Sequence, residues 1–451
     1  MLTVPQGAAL SIGAVLGTGV IALPALAAEI AGPASLLAWV ALIVLSAPLA
    51  VTFAALGARY PDAGGVSTYV RTAFGARAAA AVGWCFYAAV PAGAPAAAMF
   101  GGAYVAAASG GGLRTTLLTA ALLMLVVTAT NAAGLRVSGR VQLGLAALLV
   151  TLLLAATLTA LPHARVEHLR PFAPHGWWAV VPAAAVLVWG FAGWEAVTSL
   201  AADFRRPSRD LPRATAIALV VVGVLYLGVA AASVLVLGPA TGSSDAPLAE
   251  LLAIGVGGEV RVLTAGVALL LTLGTMNAYY AGAAKLGAAL GRDGALPAWI
   301  SGGSGGGAGE VPRRSLMVVS GLGAAGLVVV NLAGVGVRPL VLITSGCFVL
   351  VYVLGTAAAV RLLPRGSRSH RVALLALAVA VLLLFTTGVY LLWALAVALA
   401  ALVYVGTGRR RVAAGVPAGD AIPAGDAIPA GVVDSGENSR RPVDSGPVQP
   451  S

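Results

Sequence analysis

The chain has 451 residues, 59% of them hydrophobic and only 10% charged, with a mean hydropathy of +0.96. Apolar runs of about 20 residues, each able to cross about 30 Å of hydrocarbon, recur along almost its whole length, which excludes a water-soluble fold. The formal charge of +11 comes from basic residues scattered over short loops without interleaved aromatics, which excludes a nucleic-acid surface.

Apolar runs bounded by charged or turn residues predict twelve helices, near 7–31, 35–57, 78–107, 114–133, 140–161, 178–202, 212–237, 259–288, 315–333, 338–362, 371–387 and 389–407. The N-terminus "MLTVPQG" lacks the basic region of a signal peptide, so helix one is expected to be its own insertion signal. Helix one carries "AVLGTGVIALPALA", with Gly17, Gly19 and Pro24 where a spanning helix most needs an unbroken backbone. The loose match of Gly17-Thr18-Gly19 and Ala22 to a dinucleotide fingerprint is accidental, because the segment lies in a span and no acid is placed to hold a ribose. Small residues also serve helix packing, the alternative reading of this stretch.

Cys85 in helix three and Cys347 in helix ten sit in apolar runs and read as small buried hydrophobes. Helix five has no charge between Val141 and Leu161. The following loop holds His163, His168 and His175, a spacing too loose to predict a metal site, and Trp177 and Trp178 read as interfacial anchors. Helix six, "VVPAAAVLVWGFAGWEAVTSLAADF", is interrupted by Gly190 and Gly193. The glycine-rich loop 301–310 does not open a helix as a phosphate-binding loop should. Residues 409–451, with "PAGDAI" and "VDSG" each written twice, lack anything that packs and are expected to be a disordered tail.

With the N-terminus inside, 22 of the 27 basic residues fall in cytoplasmic segments, so that both termini are expected in the cytoplasm of a cell inner membrane protein. The interruption of helix one lies about ten residues from its inner end and that of helix six about ten from its outer end. The two positions correspond if helices one to five (7–161) and six to ten (178–362) are inverted repeats, with two extra helices at 371–407, in a membrane domain of 1–408.

Interrupted backbone at the midplane must line a cavity or be buried against protein. After Gly19 a new half-helix would expose amide hydrogens and a positive dipole end that favour a carboxylate. Carbonyls freed at Val15 and Leu16, and from Gly190 through Phe191 to Ala192, would accept from an ammonium. An α-amino acid supplies both groups on one carbon, so Val15, Leu16, Gly17, Thr18, Gly19, Gly190, Phe191, Ala192, Gly193 and Trp194 are the candidate binding residues.

Five stretches in order carry a resemblance: "LGTGVIALPA", "RYPDAGGVSTYVRTAFG", "NAAGLRVSGRVQ", "FAGWEAVTSLAADFRRPSRDLPRA" and "KLGAALGRDGALP". Over residues 7 to about 407 the chain resembles the amino acid/polyamine/organocation (APC) transporters, and within them the branch that exports methionine and branched-chain amino acids. The resemblance implies an all-α membrane protein with a five-plus-five inverted repeat, LeuT-like, whose helices one and six are discontinuous. It departs at Lys285, where arginine is usual, and at Asp203, where glutamate is common.

Glu195 is the only carboxylate deep within a predicted span, and its cost there, about 2.5 to 3.5 kcal/mol, calls for a reason. The readings are a structural brace or a coupling and gating group; the resemblance favours the second. The helix-five lysine that replaces sodium in some relatives has no counterpart here. Proton coupling is the expectation; sodium coupling would need hydroxyls of helix eight, for which Thr272 and Thr275 are candidates. Trp189, Phe191 and Trp194 could wall an apolar pocket.

No cofactor, metal or nucleic acid is expected, and no nucleophile or acid cluster suggests an enzyme. The expectation is a secondary transporter of neutral, aliphatic amino acids (Leu, Ile, Val or Met) working as an exporter. An importer, a carrier of another small amine and a non-transporting membrane sensor remain as alternatives; deleting the tail would silence only the last. Oligomeric state leaves no trace in the sequence.

Overall fold

The computed structural model describes residues 3–60, 65–134, 139–195, 201, 204–257, 260–302 and 311–413. Outside them lie 61–64 of the loop after helix two, 135–138 of the helix four to five connector, 196–200 and 202–203 of helix six with Asp203, 303–310 of the glycine loop, and the tail from 414.

The described residues are helices and turns. The first predicted helix is α1 (Val4–Leu16) followed by α2 (Leu23–Ala31); then come α3 (Ser35–Arg59), α4 (Val66–Phe74), α5 (Ala76–Ser109), α6 (Leu113–Ala132) and α7 (Gly139–Ala160). After the histidine loop follow α8 (Val180–Phe191), α9 (Pro207–Ala232), α10 (Pro247–Val256), α11 (Val260–Arg292), α12 (Arg313–Ala333), α13 (Arg338–Leu362), α14 (Arg368–Thr386) and α15 (Leu391–Ala413). The short helices α4 and α10 lie in loops that the apolar-run reading left featureless.

Among the described residues, 10 helices are long and apolar enough to cross a membrane. The difference from twelve arises at the first and sixth predicted helices. Their breaks leave α1 with 13 residues and α8 with 12, too short to span about 30 Å at 1.5 Å per residue. α5 and α13 are 72% buried over their most apolar windows, whereas the last span is only 11% buried. The first two therefore form the centre and the last faces outward with exposed Leu392, Trp393, Leu399 and Val403. A water-exposed surface of that kind would be an association hazard; in a bilayer it is the solvated face.

The centre is built for close approach. α5 packs on α6, α11, α12 and α13, while α9 lies on α1 and α3. Alanine dominates the buried face of α5, and Pro91 and Pro95 are accommodated within it because membrane neighbours compensate freed backbone groups. Cys85 and Cys347 are buried free thiols. Two of the five family-like stretches touch where Arg71 of α4 pairs with Asp293 beyond α11 at 2.6 Å; Trp84 Nε1 of α5 also donates to the Ala295 carbonyl at 2.6 Å. The exposed ion pair adds little stability by itself. His168 Nδ1 lies 2.8 Å from the Leu235 carbonyl oxygen and His175 Nδ1 3.0 Å from that of Ile30, so these rings brace the loop between α7 and α8.

Candidate functional site

The break in the first helix has two glycines with different jobs. Gly17 has φ 37° and ψ −155°, a left-handed conformation that side chains rarely adopt. Gly19 starts the short turn Gly19–Ile21 that leads into α2 and is required for space. A Cβ there would lie 2.8 Å from Trp189 Cδ1 and 2.9 Å from Leu23 Cδ1.

The break after α8 is similar in kind. Ala192 is extended at φ −67° and ψ 134°, and Gly193 has φ 128°. A Cβ on Gly193 would stand 2.8 Å from the Ala14 carbonyl oxygen, so the turn lies directly on the backbone of α1. Gly190, predicted as an interruption, is still helical; its missing side chain makes room for Leu23.

Freed carbonyls need donors, and three tyrosines supply them. The Tyr226 hydroxyl of α9 lies 2.6 Å from the Gly190 carbonyl oxygen, 2.9 Å from that of Val15 and 3.5 Å from that of Leu16. It carries one proton for three acceptors, so lone pairs remain for a further donor. Tyr104 of α5 donates to the Ile21 carbonyl at 2.7 Å and accepts from the Leu248 amide of α10 at 3.3 Å. Tyr352 of α13 reaches the Phe191 carbonyl at 3.3 Å and Glu195 Oε2 at 2.8 Å.

A small cavity of about 60 Å³ opens at the first break. Of the candidate binding residues, Val15, Gly17, Thr18, Gly19 and Ala192 line it; Leu16, Gly190, Phe191, Gly193 and Trp194 do not. Phe191 instead packs with Trp39 and Tyr226, at ring centroid distances of 6.2 and 5.2 Å, and Trp194 is buried. Trp189 forms one wall, set edge-on to Phe100. The other walls, missed by the sequence reading, are Ala89, Val90, Gly93, Ala94 and Ala97 of α5, Met276, Tyr279 and Tyr280 of α11, and Thr344 and Phe348 of α13. Among the described residues no charged side chain lines it.

A wider cavity of about 510 Å³ adjoins it, sharing Ala14, Gly17, Val90, Thr275 and Tyr279 as common walls. It runs past Ala9 and Leu10 of α1, Val66 and Ser67 of α4 and Leu286 of α11. Glu195 lines this cavity and not the small one, and its Oε2 also accepts from the Gly193 amide at 3.0 Å. The two threonines of α11 part company. Thr275 stands at the break, its Cγ2 3.9 Å from a Cβ position on Gly17. Thr272 faces Gly101 of α5, outside both cavities.

A helix broken at Gly17–Gly19, with the turn after α8 lying on it, opens a lined cavity between packed spans. The family model described as amino acid permease matches residues 2–411. The chain belongs to the amino acid permease family. This permease is 32% identical over 363 residues to an uncharacterized amino acid permease, YecA, of Bacillus subtilis, covering 80% of this chain and 84% of the relative. It is 35% identical over 236 residues to the L-methionine/branched-chain amino acid exporter YjeH of Escherichia coli, covering 50% of this chain and 54% of that protein. The branched-chain amino acid permease BcaP of Bacillus subtilis matches at 26% over 240 residues, 49% of this chain and 52% of its own length. These relatives are transporters, which places the permease among multi-pass membrane proteins of the APC type.

Tyr226→Phe tests the carbonyl bracing. The hydroxyl ties the carbonyl ends of α1 and α8 together; without it binding must order them, so the half-maximal substrate concentration is expected to rise about tenfold with expression unchanged. An unaltered value, read by exchange in proteoliposomes, would make the hydroxyl dispensable.

Proposed function

We propose that this permease is a secondary active transporter that exports neutral, mainly aliphatic, amino acids by alternating access. The observation that carries the reading is the small cavity at Gly17–Gly19, where broken backbone faces mainly alanine and aromatic side chains and, among the described residues, no charge. The first amides of a new helical turn lack intrahelical partners and favour a carboxylate; the Val15 carbonyl, which keeps a lone pair beside its bond from Tyr226, accepts from the ammonium. A charged substrate side chain would find no counter-ion there, and the volume suits a short one. The similarity to YjeH and BcaP favours methionine, leucine, isoleucine and valine, and that to YjeH favours export.

In this reading α1 with α2, and α8 with the residues after it, are the discontinuous first and sixth of twelve crossings. Repeats 7–161 and 178–362 are related by inversion, 371–407 adds two helices, and both termini lie in the cytoplasm of a cytoplasmic-membrane protein. The wide cavity is then the cytoplasmic vestibule. Proton coupling through Glu195 is the proposed energy source. A sodium site on Thr272 and Thr275 is the weaker alternative, since the two hydroxyls do not face one cavity.

Counterflow tests the function. Proteoliposomes loaded singly with unlabelled amino acids are expected to accelerate entry of labelled leucine and methionine when the load is aliphatic. Folded protein that exchanges none of the common amino acids would overturn the reading.

A further inference from the structure

Threonines in spanning helices usually return their hydroxyl to the carbonyl four residues earlier. Thr128, Thr159, Thr264 and Thr356 do so here, at 2.6 to 2.8 Å. Thr344 of α13 does not, and neither do Thr52, Thr215 and Thr272, but of these four only Thr344 lines the small cavity. Its side chain is 3% exposed, it lines the small cavity, and among the described residues its Oγ1 has no hydrogen-bond partner. The hydroxyl lies where Gly93 of α5 leaves space: a Cβ on Gly93 would stand 3.1 Å from both Oγ1 and Cγ2 of Thr344 and 2.8 Å from the ring edge of Trp189. Tyr280 also lines the cavity with an unpartnered hydroxyl, but that oxygen sits beside Gly323 of α12, 3.3 Å from a Cβ position there.

A buried hydroxyl left unpaired is costly, and the cost is recovered only if something that enters the cavity pairs with it. The head-group end is the backbone break at Gly17–Gly19; Thr344 belongs to the walls contributed by α5, α11 and α13, where the substrate's side chain would lie. A methyl placed against Oγ1 keeps it unpaired, whereas a hydroxyl of the same size satisfies both groups. An apolar pocket discriminates weakly against an isostere, but a site that hydrogen-bonds a substrate hydroxyl rejects the analogue lacking it.

We propose that the side-chain end of the cavity is a hydrogen-bonding subsite built on Thr344, which selects β-hydroxy amino acids and so prefers threonine to isosteric valine. This rests on the reading of the helix breaks as the receptor for the amino acid head group. It extends the substrate class from purely aliphatic side chains to small β-branched ones with one polar atom.

The test is counterflow with valine and threonine as graded internal loads and labelled leucine outside, in wild type, Thr344→Val and Thr344→Ser. In wild type the half-maximal load is expected to be at least about tenfold lower for threonine than for valine. Thr344→Val, which keeps the shape and removes the hydroxyl, should bring the ratio to about one, by weakening threonine and strengthening valine. Thr344→Ser keeps the hydroxyl and should keep the preference, and it stands as the test if the valine variant does not fold. Equal loads for the two amino acids in wild type, or an unchanged ratio in Thr344→Val, overturns the subsite. So does loss of the preference in Thr344→Ser. Brisk exchange with valine and leucine loads but no threonine advantage overturns the subsite alone and leaves the transport function standing. Silence with every amino acid from folded protein overturns both.

Discussion

Gly19→Val is expected to abolish exchange of every amino acid while the protein still folds and inserts. A Cβ at this position meets Trp189 Cδ1 at 2.8 Å, Leu23 Cδ1 at 2.9 Å and Trp189 Nε1 at 3.3 Å, all closer than ordinary packing allows. Leu23 is fully buried and wedged against Gly190. The yielding partner is therefore Trp189, which is half-buried and stands at the cavity wall. On its other flanks the indole meets Gly93 and Phe100 of α5, so the ring can give way only into the cavity, where it takes the volume a substrate would use. Overpacking of this size costs about 1 to 3 kcal/mol and more for a branched side chain, and the indole driven into so small a cavity leaves no room for a substrate. Gly19→Ala should fall between the two. The readout is counterflow from detergent-purified protein that elutes as a single folded species; wild-type exchange in Gly19→Val would remove the break from the substrate site.

What could be read from sequence, and what could not, divides along the range of the interaction. Spans announce themselves because lipid demands about 20 apolar residues in a row, and breaks announce themselves because Gly17, Gly19 and Gly193 violate that demand locally. The walls of the cavity carry no such local mark. Ala94, Ala97 and Phe348 are ordinary residues of ordinary spans, and only the packing of α5 against α11 and α13 brings them to the break. The tyrosines lie between these cases. Tyr226 and Tyr352 each put a hydroxyl mid-span and Tyr104 puts one near the end of α5, and a buried phenol needs a partner, so the need was legible while the partner was not. The same limit explains why Gly190 and Gly193 looked equivalent. One faces Leu23 and the other takes a left-handed φ against Ala14, a difference made by neighbours far away in the chain. Phe191 and Trp194, predicted to wall the pocket, turn to the packed side for the same reason, since a broken helix no longer keeps the angular spacing of an intact one.

Glu195→Gln is expected to erase the pH dependence of transport while leaving exchange itself in place. Among the described residues Glu195 is the sole charged side chain lining the wide cavity, which it shares with Tyr279 of α11 and Ser67 of α4. Its Oε2 accepts from the Tyr352 hydroxyl at 2.8 Å and from the Gly193 amide at 3.0 Å. Tyr352 has one proton and a second acceptor within reach, the Phe191 carbonyl at 3.3 Å. An ionised carboxylate holds that proton more strongly than a neutral carbonyl does. Protonating Glu195 weakens its hold and frees the hydroxyl for Phe191, the last residue of α8, so that arrival of a proton changes the bracing of the broken helix. Glutamine has the shape of the acid and the charge of its protonated form. The variant should therefore behave at every pH as the wild type does at low pH, with an exchange rate that stays flat over the range in which the wild-type rate changes. The comparison is initial exchange rate against pH in proteoliposomes clamped to the same pH on both sides. A wild-type profile in Glu195→Gln would make the carboxylate a brace for the turn at Gly193 and move proton coupling to another group.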